Sequence, residues 1–277
     1  FRSKTDTFRD QVEYSKKMKD ELAKARKVGL SDLKKLEASI AKIDDCETGV
    51  VIDLFLSYRA VKGWDEMIAL VPKMSPVLAA TVMVQEQLAL ALNRADRGKD
   101  AERVLLELIV RRGPSSETYG ILGRVYKDRW ESARKAGNTM LAKGLLAKAI
   151  DVYLKGFEAD WRDAYPGINA VTMMELKDPP DPRRFEILPV VTYAVNQRIQ
   201  RGTPDYWDYA TLLELAVLAK DEGNAVDGLS RSLAMVREPW EPETTLRNLR
   251  LIREARERRG EETPLSIIEI EAELQKL

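Results

Sequence analysis

Leu54, Leu88 and Leu122 stand 34 residues apart. Each is followed at once by Phe55, Ala89 or Gly123, and three positions later by Tyr58, Leu92 or Tyr126. A pattern of large residues at helical spacing, with a small one between them in the second and third copies, repeated at a fixed period, belongs to a chain that stacks copies of one helical pair. The 34-residue period is that of the tetratricopeptide repeat. A single pair cannot cover its own apolar face, so each pair buries it on its neighbours and the ends of the stack need polar caps. The second helices fit the same unit. Ala101, Leu105 and Leu108 form the inward face of the middle pair, with Pro114 at its exit. In the first pair Gly63-Trp64 makes the turn, and Met67, Val71 and Met74 face inward.

The third unit departs from this template. Ala101 follows Leu92 by nine residues, whereas the matching Ala149, with Tyr153 and Gly156 beyond it, follows Tyr126 by 23. The excess falls in "ESARKAGNTMLAKGLLAK", which has helical composition broken at Gly137-Asn138. It reads as two lengthened helices with a projecting tip, over 131–148. Later units are fainter. Tyr165, Ile168, Asn169 and Thr172 mark one, followed by the proline-rich "KDPPDP" and a helix over 183–200; Leu212, Leu215, Ala216 and Ala219 mark another, with its turn at Gly223-Asn224. Charged amphipathic helices over 6–28, 31–43 and 242–259 suit capping, the second of them capped by Ser31-Asp32 after Gly29. The last segment alternates like a strand, but Ser266 and Glu269 favour a helix start. The expectation is an all-α chain, a tetratricopeptide-like solenoid of antiparallel pairs in a right-handed superhelix. Residues 1–45 would be N-terminal caps, 46–240 the repeats, and 241–277 C-terminal caps.

Composition narrows the function. The 277 residues hold 45 basic and 45 acidic side chains, which argues against nucleic-acid or anionic-membrane binding through a basic excess. No apolar run reaches the roughly 18–20 residues of a membrane span. Histidine is absent, which removes Ser-His-Asp and Cys-His catalysis. The one cysteine, Cys46, cannot build a zinc site and suits a reducing, cytoplasmic setting. Asp178 and Asp181 read as part of a surface turn rather than a carboxylate pair. The expectation is a non-enzyme without cofactor or metal. A charged start without methionine reads as a piece of a longer protein.

"VIDLFLSYRAVKGWDEMIALV", "EQLALALNR", "GRVYKD" and "YPGINA" together resemble the TRAF-binding, tetratricopeptide-like central region of the apoptosis signal-regulating kinases. They are similar above all to its prokaryotic relatives in signalling and conflict-system proteins. The resemblance covers roughly residues 46–240. It implies a regulatory region, which in the kinases lies between a thioredoxin-binding segment and the kinase domain. In the prokaryotic relatives it implies an attached effector such as a TIR or protease-like module, and for some a nucleotide-derived signal. Neither a Gly-rich phosphate loop nor a kinase catalytic motif is present in the sequence, so fold and regulatory role transfer, not an activity.

In such an array the first helix of each pair lines the concave groove, one and four or five residues after the small residue. That register selects Arg59, then Leu90, Asn93 and Arg94, then Arg124, Lys127 and Asp128. Basic residues in equivalent places suit carboxylate or phosphate oxygens. The plainer alternative is a solvated face with an Arg124–Asp128 pair worth about 0.3–0.5 kcal/mol. Tyr165 and Asn169 flank a helix start whose N–H groups could hold an anion; alternatively Asn169 packs against a neighbouring turn. Two functions follow. One is a scaffold that binds a peptide, a protein or an attached effector domain through a basic groove; the other is a sensor for a nucleotide-derived anion.

Overall fold

The computed structural model describes residues 4–276. Among the described residues every regular element is helical, and the chain divides at Gly113/Pro114 into two compact units. The first contains α1 (Lys4–Val28), α2 (Leu30–Ser39), α3 (Thr48–Ala60), α4 (Trp64–Leu70), the short α5 (Pro76–Ala79), α6 (Val82–Arg94) and α7 (Gly98–Arg112). Leu54, Phe55 and Tyr58 of α3 lie wholly inside with Met67 and Leu70 of α4 and with Leu22 and Leu33 of the preceding helices. The repeat signature is therefore the core itself. Each pair turns through one residue in the left-handed region, Lys62 at φ 59° and Asp96 at φ 58°. The second helix is shorter than its sequence expectation. It begins after Gly29, whose φ of 132° and lack of a side-chain bond leave no capping role for Ser31 or Asp32; Asp32 instead accepts from Lys35 at 2.7 Å.

The second unit is four helical pairs: α8 (Ser116–Lys135) with α9 (Thr139–Ala159), α10 (Ala164–Glu175) with α11 (Arg184–Arg201), α12 (Tyr206–Ala219) with α13 (Glu222–Leu233), and α14 (Trp240–Arg258) with α15 (Leu265–Gln275). Short polar side chains start most of them. Ser115 accepts from the Thr118 N–H, Asn138 from Leu141, Asp163 from Tyr165, and Asp205 closes a capping box with Asp208. The α12–α13 turn comes earlier than expected. Lys220 takes φ 60° and Asp221 caps, so Gly223 and Asn224 sit in the first turn of α13. In α12 the wholly buried side chains are Tyr206 and Leu213, while Leu212 is half-buried and Ala219 exposed. The faint fifth signature was thus read out of register.

The lengthened third pair is real, with helices of 20 and 21 residues turning at Gly137. Only its tip, 135–141, is exposed throughout. Glu131, Ala133, Ala142, Leu145 and Leu146 are buried, so the base of the extension is packed rather than projecting. Deeper in the pair, a Cβ on Gly123 would stand 2.5 Å from the Tyr153 ring. α8 and α9 touch there only because the side chain is absent.

α10 is enclosed on all sides beyond its first turn, with 170–175 buried without a break. Its last residue, Glu175, is buried and meets three arginines: Arg184 of α11 at 2.9 Å, and Arg256 and Arg259 at the end of α14 at 2.9 and 2.8 Å. Arg256 also donates to the carbonyls of Val217 and Leu218 at 3.0 and 3.1 Å. Those belong to the last turn of α12, where carbonyls run short of helical partners; Val217 shares its carbonyl with the Lys220 N–H at 3.1 Å. One carboxylate therefore ties four helices together. Asp181 is also buried, against the surface turn expected for it. It accepts from Lys177 at 3.3 Å and from Arg183 at 2.9 Å, and the Arg183 bonds hold its carboxyl well below the usual range.

Two stability outcomes follow from this packing. Gly123→Leu should lower the melting temperature markedly, at a cost of about 1–3 kcal/mol or more from overpacking against Tyr153; an unchanged melt would show that α8 and α9 do not meet there. Glu175→Gln should cost about 3–5 kcal/mol in urea unfolding, because it leaves buried guanidinium groups uncompensated. A loss below about 1 kcal/mol, the scale of an exposed pair, would contradict the junction.

Candidate functional site

The first helices of the four pairs in the second unit, α8, α10, α12 and α14, share one polar interior. Lys127 lies one turn beyond Gly123 and is 4% exposed. Its Nζ donates to Asn169 Oδ1 of α10 at 3.2 Å and to Asn248 Oδ1 of α14 at 3.1 Å. Asn248 in turn donates through Nδ2 to Glu214 Oε1 of α12 at 3.0 Å. Burial, helped by the charge of Arg124, lowers the Lys127 pKa to about 8. Burial pushes the Glu214 carboxyl upward, opposed by the Asn248 bond and the Lys127 charge. A lysine and a carboxylate are thus linked through one amide in the interior. Two further bonds continue the seam between α8 and α14: Arg247 pairs with Glu131, and Arg134 with Glu254 at 3.4 Å.

Beside this interior lies a more open patch. Arg124 Nε faces both oxygens of Asp128, at 2.9 and 3.2 Å, and each side chain is about a quarter exposed. Tyr165 is nearly half exposed. Its ring packs where a Cβ of Gly120 would stand 3.2 Å away, and it meets Tyr153 edge-on at 6.3 Å between centroids. The arrangement joins a guanidinium, a carboxylate and a phenol ring at a surface with a rigid backing. Such a surface can offer charge-assisted hydrogen bonds and a ring contact.

The fold brings Arg124, Lys127 and Asp128, selected by the repeat register, together with Tyr165 and Asn169, selected as a helix start, into this one region. Two details differ from expectation. Lys127 is engaged inside the protein, and the first free N–H of α10, at Tyr165, donates to Asp163 at 3.1 Å, so this helix start already holds a carboxylate. Asn169 binds Lys127 and donates to the Tyr165 carbonyl at 2.9 Å. Arg59, Asn93 and Arg94 belong to the other unit, where Arg59 Nη1 of α3 donates to Gln87 Oε1 of α6 at 2.8 Å. Asn248 and Glu214 were missed because the period fades before α12 and α14 read as a cap. Glu214 was visible in principle, as a lone charge in "ATLLELAVLA". Cys46 is partly buried, donates to the Lys42 carbonyl at 3.4 Å, and has its pKa raised by burial and the neighbouring Asp45 and Asp44, so its thiolate is disfavoured. Among the described residues no helix is long and apolar enough to cross a membrane.

Lys127 gives the site a pH signature. Its folded pKa of about 8 lies below the unfolded value near 10.5, so between these values the unfolded chain binds more protons and stability rises with pH. Relative to Lys127→Met, the wild-type chain should gain up to about 3 kcal/mol from pH 7.5 to pH 10.5. Urea unfolding of both chains across this range measures it; a difference that is flat, or that falls with pH, would mean Lys127 is solvated.

Comparison with known proteins agrees with this architecture. The family model described as the MAP3K TRAFs-binding domain matches residues 3–269. Mitogen-activated protein kinase kinase kinase 15 of Mus musculus is 26% identical over 257 residues, 88% of this chain. Mitogen-activated protein kinase kinase kinase nsy-1 of Caenorhabditis elegans is 26% identical over 273 residues, 87% of this chain. In each case the match spans 18% of the relative's length. A thermophilic tetratricopeptide-repeat protein of Thermus thermophilus has a similar fold, with a TM-score of 0.53 and 14% identity over 73% of this chain and 99% of that one. The chain is thus an all-α solenoid of tetratricopeptide type, and it belongs to the MAP3K TRAFs-binding domain family.

Proposed function

We propose that this chain is a non-catalytic docking module that regulates a larger signalling protein, taking a peptide or an attached effector domain on the face formed by Arg124, Asp128 and Tyr165. The supporting observation is the pairing of a part-exposed arginine and an exposed tyrosine over the Lys127–Asn169 backing. Tyr and Arg are the residues that most often carry interface energy when held rigidly. Arg59, Asn93 and Arg94 offer a comparable register in the first unit. Membership of a TRAFs-binding family agrees with protein partners, and the whole-protein role is inferred from relatives that are several times longer than the match.

A docking face is favoured over a sensor of a nucleotide-derived anion. Asp128 already neutralises Arg124 and Lys127 is engaged internally, so phosphate would meet little concentrated positive charge. In the full-length protein, amide exchange over 116–128 and 163–169 should be slower than in the isolated chain. Arg124→Gln should remove that protection; because it leaves the part-buried Asp128 without its guanidinium, it should also cost the isolated chain about 1–3 kcal/mol, so the exchange is compared where both chains remain folded. Equal exchange in the full-length and isolated forms would refute docking on this face.

A further inference from the structure

The first turns of α12 and α14 bring two tryptophans into contact. The rings of Trp207 and Trp240 lie 5.6 Å apart between centroids and 36° from parallel. Trp207 is half-buried and stands edge-on to Tyr206 at 5.2 Å. Tyr206 is wholly buried and donates to Thr245 at 2.8 Å, so the inner indole has a fixed backing. Trp240 is 54% exposed. Part of this aromatic area closes α12 on α14, and the rest faces solvent.

The free charges beside the pair are of one sign. Arg237, which leads into α14, pairs with Glu241 at 2.8 Å and reaches Asp205, two residues before Trp207, at 3.7 Å. Asp208, next to Trp207, is held by Arg198 at 2.7 Å. Two more carboxylates, Glu238 and Glu243, are exposed, and neither has a side-chain partner among the described residues. Glu243 lies three residues beyond Trp240, which puts both on one face of α14. Farther along, Arg247 is matched by Glu131. Lys135 adjoins Arg134, whose partner is Glu254, about 16 Å farther along α14 than Glu243 at 1.5 Å per residue. Among the described residues the cations that lie over rings sit at Tyr126, Trp130 and Phe185, and none covers either of these indoles.

Charge therefore selects the occupant. An anion is repelled, and an apolar side chain would strip water from unpaired carboxylates without replacing its hydrogen bonds. A cation suits both features, because the indole face is the best aromatic surface for it and a carboxylate bonds it directly. A guanidinium fits best of all, since it is planar and can stack on a ring while its fork of donors meets a carboxylate. We propose that the Trp207–Trp240 pair is a docking site for an arginine side chain of a partner protein. The guanidinium lies on the open face of Trp240 and donates to Glu243, with Glu238 adding to the attraction. The site shares no residue with the Arg124–Tyr165 face, so the inference goes beyond the docking role proposed there and stands apart from it.

Selection of short random peptides displayed against the whole chain tests this. Enriched sequences should carry arginine, and a fluorescein-labelled peptide from that set should bind in an anisotropy titration. Replacing its arginine with citrulline, which keeps the shape and loses the charge, should weaken binding roughly ten-fold or more, and lysine should weaken it less. Trp240→Leu, which keeps an apolar contact for Trp207, should weaken it to a similar degree. Glu243→Gln, at an exposed and unpaired position, should weaken it several-fold with the melting temperature unchanged. Arg124→Gln, compared while folded, should leave it intact. Enrichment without arginine, equal binding by the citrulline peptide, or equal binding by the Trp240 and Glu243 variants would overturn the proposal. Loss of binding on Arg124→Gln but not on Trp240→Leu would overturn it too, by placing the peptide on the other face.

Discussion

The second unit depends on one buried carboxylate. Glu175 ends a helix that has no solvent face beyond its first turn, and the three guanidinium groups around it come from α11 and α14. Burying four charged groups is costly unless the geometry satisfies nearly all of them. Here it does, because Arg256 also takes the closing carbonyls of α12 and Arg259 takes the Glu175 carbonyl at 3.0 Å. Arginine suits the position because its fork of donors can serve a carboxylate and a helix end at once. The junction fixes the far end of α10, and the Lys127–Asn169 bond fixes its middle.

That arrangement explains the division between interior and surface at the candidate site. Side chains at groove-facing positions of neighbouring first helices stand close enough to bond one another, so Lys127, Asn169, Asn248 and Glu214 satisfy each other. Arg124 and Tyr165, a turn nearer the start of their helices, remain at the surface. These two surface residues therefore have a rigid backing, the condition under which binding would cost least entropy.

The sequence made the stacking unit legible because a 34-residue period records a packing requirement: Leu54, Leu88 and Leu122 are all wholly or largely inside, and Gly123 has its place because Tyr153 needs the room. Arg124, Lys127 and Asp128 could be grouped for the same reason, since a helical register fixes direction. What was not legible is long-range. Nothing in the period says that Asn248 returns to Lys127 across 121 residues, that the end of α14 closes on α10, or that Asp181 turns inward to Arg183. The register of α12 slipped because almost every residue in it is apolar, so periodicity offered no polar face to orient it.

The amide link between Lys127 and Glu214 has a consequence for how this region changes over time. Asn248 can serve both only because a carboxamide has an acceptor at one end and donors at the other. Replacing the lysine with an apolar residue strands the Asn248 oxygen, and replacing Asn248 strands the Glu214 oxygen and leaves Lys127 only its bond to Asn169. Each single step thus passes through a state worse than either end, whereas a joint exchange to well-packed apolar side chains does not. The side chains at 127, 169, 214 and 248 are therefore coupled energetically, so that a change at one is tolerated best alongside changes at the others.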